Sequence, residues 1–173
     1  MKTLISTLAV LAVASAVQAA GLPEAPVALP ADAAPAAPPA VQRTFDALKS
    51  CNAFFVATLD EGDQPRVRPF GALALVDGAI YIQTGNFKPV FRQMTAHPRI
   101  EICALQPDGA HWLRLAATAV RADSVAMRQA VLDQNPSLSA LYSADDGRCE
   151  VFRLEDATAT FNGFGGDPET LQF

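Results

Sequence analysis

The segment "QPRVRPFGAL" sets Arg66 and Arg68 two residues apart, ahead of an apolar run. Side chains alternate across a β-strand, so Arg66, Arg68 and Phe70 would share one face and Val67 and Pro69 the other. Two guanidinium groups side by side repel unless an anion stands opposite them. Further along, "TGNFKP" places Thr84, Asn86 and Lys88 where a strand pattern gives way to a helical one. The first turn of a helix has free N–H groups at the positive end of its dipole, and a lysine beside it completes a seat for phosphate. Brought beside the arginine strand, this junction would gather Arg66 or Arg68, Thr84, Asn86 and Lys88 around one anion. The alternative is that both arginines pair with surface carboxylates, which an acidic chain supplies readily.

A third segment, "HWLRLAATAV", puts Trp112 and Arg114 on one strand face and Leu113 and Leu115 on the other. The indole and guanidinium could cover a flat ring, stack on each other at the surface, or, for the tryptophan, enter the core. Hydrolytic chemistry has no support: there is no GxSxG elbow, no HExxH pair and no GxxxxGK[ST] loop. His97 reads as a helix-terminal histidine before Pro98, and His111 opens a strand with no evident partner. Two separate histidines make no metal site. The acidic clusters "DEGD" and "ADDG" are turn sequences. Of the three cysteines, Cys51, Cys103 and Cys149, an odd count leaves at least one free thiol, and Cys103 in "RIEICAL" reads as a small buried hydrophobe.

These residues need a scaffold. "AFFVATLD", "RVRPFGALALV" and "AIYIQT" read as three strands in a meander, joined at "DEGDQP" and at the hairpin dipeptide Asp77-Gly78. "VQRTFDALKSC" and "FKPVFRQMTAHP" carry helical spacing; Asn86 is a candidate cap for the second, and Pro89 suits its first turn. "RIEICAL" and "HWLRLAATAV" are further strands. "SVAMRQAVLDQ" is a third helix, with a stripe of Val125, Met127, Ala130 and Val131, and "CEVFRLEDATATF" is a sixth strand before a Gly-rich tail. The expectation is a mainly β (α+β) domain: a six-stranded antiparallel barrel with two to four flanking helices.

The whole chain narrows the partners. Residues 1–19 combine a basic start, an apolar run and small residues at 17–19, the pattern of a secretory signal peptide. Residues 20–40 are almost wholly Ala and Pro and read as a semi-rigid spacer. One folded domain is expected over 41–173. The chain carries a net charge of −5. A balance this acidic argues against nucleic acid or an anionic membrane as partner and leaves a small anionic ligand for the arginines. Export, with a periplasmic location and no membrane anchor after cleavage, is the expectation from this leader.

Taken in order, "QPRVRPFGAL", "YIQTGNFKPVFRQMTAHPRIEICAL" and "HWLRLAATAV" resemble the pyridoxamine 5′-phosphate oxidase-like flavoproteins, the FMN-binding split β-barrels. The shared features are RxRP on the second strand, T-x(3)-K into a helix, and "HPRIEIC" on the strand that follows. The resemblance implies a split barrel that dimerises with two FMN molecules at the interface. It would assign Arg66, Arg68 and Lys88 to the FMN phosphate, Pro69 and Phe70 to the flavin's surroundings, and Thr84 to a hydrogen bond. Trp112 and Arg114 would reach the flavin from the partner subunit, with Arg114 the candidate for tuning it. The ring would supply redox chemistry, on a substrate the resemblance does not name. The tail "GFGGDPETLQF" lacks the Arg- and His-containing segment with which true oxidases of this kind hold substrate, so pyridoxal phosphate formation is not expected. Haem, with His111 as axial ligand, or a deazaflavin are alternative occupants, and a non-catalytic flavin- or anion-binding module is an alternative role.

Overall fold

The computed structural model describes residues 36–173. The signal pattern over 1–19 and most of the Ala/Pro segment lie outside the described residues. Eight strands and three helices follow in the order α1 (Pro39–Lys49), β1 (Phe54–Leu59), β2 (Pro65–Phe70), β3 (Leu73–Val76), β4 (Ala79–Gly85), α2 (Pro89–Ala96), β5 (Arg99–Leu105), β6 (His111–Arg121), α3 (Val125–Asp133), β7 (Cys149–Gly163) and β8 (Glu169–Gln172). The α+β, mainly antiparallel class stands, and the strand count is eight rather than six. Two differences account for this. "RVRPFGALALV" is broken at Gly71-Ala72 into β2 and β3. The Gly-rich tail ends in β8, which pairs with the second half of β7.

The strand order is β2-β1-β5-β6-β7-β4-β3, every pairing antiparallel. β2 and β3 therefore lie at opposite edges of the sheet, although only Gly71 and Ala72 separate them in the chain. The sheet must curl until those edges approach, a barrel left open along one seam. Inside it, alternating residues form the core: Phe54 and Val56, Ile80 and Ile82, Ile100 and Ile102, Leu113 and Leu115 are all buried. β4 is buried at every position. Ile80 and Ile82 face the barrel, while Tyr81 joins a second cluster with Val131, Leu132, Tyr142 and Val151 under α3.

Local chemistry explains the joints. Asp77 and Gly78 both take positive φ, 48° and 73°, which a two-residue hairpin turn requires. Pro89 stands in the first turn of α2, whose cap is Lys88 in an extended conformation with no side-chain hydrogen bond. Asn86 is thus not the cap. Its Nδ2 donates to Gly147 O at 2.6 Å and its N–H to Arg148 O at 3.0 Å, stapling the β4–α2 junction to the loop before β7. α1 begins at Pro39, inside the segment read as spacer, and buries Val41, Thr44 and Leu48. α3 is capped by Ser124 Oγ, which accepts from Met127 N–H at 3.1 Å. Its buried face is Val131 and Leu132, with Val125 left 53 % exposed, because the helix lies on the sheet along its C-terminal turn. All three cysteines are free; Cys103 is exposed, not buried, and Cys149 is the buried one. The outward position of Cys103 follows from register, since buried Ile102 and Ala104 flank it on β5. Burial pushes the Cys149 thiol pKa up.

Candidate functional site

At the open seam of the barrel, β2 and the Gly71-Ala72 link face the β4–α2 junction. Between them lies a cleft of about 420 Å³, lined by Arg68, Pro69, Phe70, Thr84 and Lys88 among others. That volume is within the roughly 300–1,000 Å³ of small-molecule sites. A second hollow of about 580 Å³ adjoins it, sharing Arg68, Lys88 and Val90 and adding Arg66 and Gln93. The two together form one furrow across the mouth of α2.

Arg66 and Arg68 meet different surroundings in this furrow. Arg66 Nε donates to Asp60 Oδ2 at 2.8 Å. Asp60 also accepts the N–H groups of Gly62 and Gln64 in the β1–β2 turn. The Arg66 hydrogen bond, aided by those two, holds the Asp60 carboxyl below its ordinary pKa. Arg66 is thus neutralised by a surface carboxylate. Arg68 is not. Its Nη1 donates to Val56 O at 3.0 Å and to Thr58 Oγ1 at 2.7 Å, and its Nη2 to Gln93 Oε1 at 2.7 Å. Those acceptors are uncharged, and a guanidinium has five N–H donors, so some remain free. Burial, and then the positive charge of Arg66, push the Arg68 pKa down. Lys88 forms no ion pair with any described residue, and its Nζ lies 5.9 Å from the ring centroids of Phe87 and Tyr142. Two cations without a carboxylate, at the N-terminus of α2, make a place where an anion lowers the energy.

Thr84, buried to 1 % exposure, lines the same cleft. Of the residues read from spacing and resemblance, Arg68, Pro69, Phe70, Thr84 and Lys88 meet there. Arg66 lies one step along the furrow. Asn86 is turned to Gly147. Trp112 and Arg114 do not line this cleft. Arg114, on the outer face of β6, donates to Glu101 Oε1 from Nε, and that contact raises its pKa. Trp112 lines a separate hollow of about 370 Å³ with His111, Phe161 and Arg43. His111 has a partner after all: its Nδ1 is 2.6 Å from Asp108 Oδ2. The turn spacing of D-G-A-H carries that pair, three residues apart. Asp108 is held at a pKa of about 2, chiefly by His111 and then by the N–H groups of Ala110 and His111.

Gln83, Gln93, Asn135, Leu138 and Tyr142 also border the furrow and were not expected there. Gln93 lies just over one helical turn from Lys88, but a single polar residue on an amphipathic helix carries no distinguishing signal. Tyr142 sits in an irregular loop whose place in the fold no periodicity reports.

The chain's likeness to other proteins agrees with this geometry. The family model for pyridoxamine 5′-phosphate oxidase matches residues 41–159. No curated protein sequence matches significantly. Among solved structures, a NimC/NimA family protein from Clostridium acetobutylicum is 37 % identical with a TM-score of 0.73, over 78 % of this chain and 92 % of that one. A heme binding protein from Mycobacterium smegmatis shares the fold at 20 % identity and a TM-score of 0.62, over 79 % of this chain and 59 % of that one. General stress protein 26 from Bacillus anthracis does so at 14 % and 0.61, over 77 % and 98 %. With the family match spanning most of the folded residues on the same curled sheet, the chain belongs to the pyridoxamine 5′-phosphate oxidase-like family.

Proposed function

We propose that this is an exported, homodimeric FMN-binding protein with oxidoreductase-like chemistry, acting on a small molecule and not forming pyridoxal phosphate. The observation that carries it is Arg68, a half-buried guanidinium with no carboxylate, beside the unpaired Lys88 at the start of α2. A phosphate monoester dianion supplies the missing charge and accepts from several donors at once. Arg68 would hold it with its free N–H donors, its orientation set by Thr58 and Gln93; Lys88 would add a point charge. Pro69 and Phe70 offer the apolar wall that a flat ring needs, and Thr84 a hydrogen bond. When bound, the isoalloxazine supplies electron and hydride transfer, and the protein supplies position and charge.

A second chain has a face to cover. Val67 on β2, Phe55 on β1 and Leu105 on β5 are large apolar residues at 64, 48 and 59 % exposure. Phe55 pairs across the ladder with Cys103, and Cys103 with Arg114, so this outer surface is continuous with Arg114. Covered by another copy, it would bring Arg114 toward the partner's flavin.

The test is flavin binding by the mature protein recovered from the periplasm. A yellow protein with flavin absorption bands, or micromolar binding of added FMN, is expected; no binding in titration refutes the proposal. Arg68→Ala and Lys88→Ala should each weaken FMN by about 1.5–3 kcal/mol, as for hydrogen bonds to a charged group. FMN that binds but is never reduced by NAD(P)H or native extract would make the protein a binding module.

A second reading rests on His111. Asp108 orients its imidazole through Nδ1 and leaves Nε2 for a ligand, the arrangement in which a histidine binds iron or zinc, and one structural neighbour is a heme binding protein. Added haem would then give a Soret band that His111→Ala abolishes.

A further inference from the structure

Tyr142 is the feature of the furrow that the phosphate seat leaves unexplained. It is 6 % exposed, yet its hydroxyl makes no hydrogen bond among the described residues. Among the described residues no polar side-chain atom is both sealed in and unpaired, so this hydroxyl opens on the cleft that Tyr142 lines together with Lys88, Thr84 and Arg68.

Several contacts hold the ring in place. It stacks on Phe87, with centroids 6.4 Å apart and planes at 19°. Lys88 Nζ lies 5.9 Å from both ring centroids, and the Arg148 guanidinium lies 4.9 Å from that of Phe87. Tyr142 N–H donates to Leu138 O at 3.0 Å, fixing the loop that carries it. The hydroxyl lies beside Gly85, where an added Cβ would stand 2.9 Å from the phenol oxygen and 2.4 Å from Phe87 Cε1. Glycine at 85 lets the phenol reach the β4–α2 junction, where Lys88 caps the helix.

We infer that the Tyr142 hydroxyl is a ligand-binding donor: it gives the neutral hydrogen bond to the same phosphate that Lys88 and Arg68 neutralise. The loop from Asn135 to Arg148 is then the wall that closes the anion site. This rests on the proposed phosphate seat and names a residue of it that comes from a different element. A hydroxyl there adds direction where two cations supply only charge, and it selects a ligand bearing a terminal anion over the same ring without one.

The experiment titrates the full mature protein and its Tyr142→Phe variant with FMN, with riboflavin and with inorganic phosphate. Because the chain has only two tyrosines, Tyr81 and Tyr142, ring-labelled tyrosine also gives two assignable NMR signals. The Tyr142 signal should move on adding FMN or phosphate. Tyr142→Phe should keep the melting temperature, lose about ten- to a hundredfold in FMN affinity, as for one hydrogen bond to a charged group, and leave riboflavin affinity unchanged. Unchanged FMN affinity with an unmoved signal overturns the role of Tyr142 while FMN binding stands. An equal loss for riboflavin also overturns it, since the hydroxyl would then serve the ring or the fold. Phosphate shifting the signal without any FMN binding supports Tyr142 and refutes the flavin. No response to any of the three refutes both.

Discussion

Arg66 and Arg68 stand on one face of β2, and their partners decide what each can do. Arg66 is an exposed side chain facing a carboxylate across the hairpin. Such pairs contribute at most about 1 kcal/mol, so Arg66→Ala should change the unfolding free energy by less than that; a larger loss in denaturant titration would mean that Arg66 holds more than the turn. Arg68 is tied to buried Thr58 and to Gln93, and no carboxylate of the described residues neutralises its charge. His111 and Asp108 give a prediction in pH. The folded Asp108 carboxyl, at about 2 against an ordinary 3.8, is lower than in the unfolded chain. Its contribution to stability is therefore present above about pH 4 and lost as the pH falls toward 2. A carboxyl titration by NMR should place its midpoint near 2 and move it upward in His111→Ala; a midpoint that stays put would make the turn N–H groups the cause.

The elements meet at two joints that single residues control. The end of β6 is tied to the start of β7 by Arg121, whose Nε and Nη2 donate to the two oxygens of Glu150 at 2.7 and 3.0 Å. The same guanidinium lies 5.5 Å from the Phe91 ring centroid of α2. Glu150 is 5 % exposed, so Arg121→Ala strands a buried carboxylate and should cost about 1–3 kcal/mol; an unchanged melting temperature would contradict that. The other joint is the β3–β4 turn, where Gly78 at φ 73° makes Gly78→Ala destabilising by about 1 kcal/mol. The meander, the Asp77-Gly78 turn, the Pro89 start of α2 and most strand positions were legible in the sequence, because alternation and turn residues act locally. The break between β2 and β3 was not, since Phe70-Gly71-Ala72-Leu73 reads on as one strand pattern and the curl that parts them comes from the whole sheet. Nor was β8, an edge strand with little buried surface and so no alternation to report. In the site, the cationic residues could be read from spacing. Tyr142 and Gln93 could not, because tertiary packing brings them there from a loop and from mid-helix.

At the scale of the molecule, the curled sheet has one open seam and one apolar outer face. The seam holds the cleft proposed for the anion, and the face is where a second copy would bring Arg114 to it. Phe55→Glu with Leu105→Glu should give a monomer by analytical ultracentrifugation while leaving secondary structure intact; a dimer that persists would place the interface elsewhere. The proposed function turns on one central claim, that Arg68 and Lys88 hold the phosphate of a flavin. The most direct measurement is FMN titration of the mature protein beside its Arg68→Ala and Lys88→Ala variants. Micromolar or tighter binding that each substitution weakens by tenfold or more is the predicted result. No binding, or binding that neither substitution alters, would contradict it.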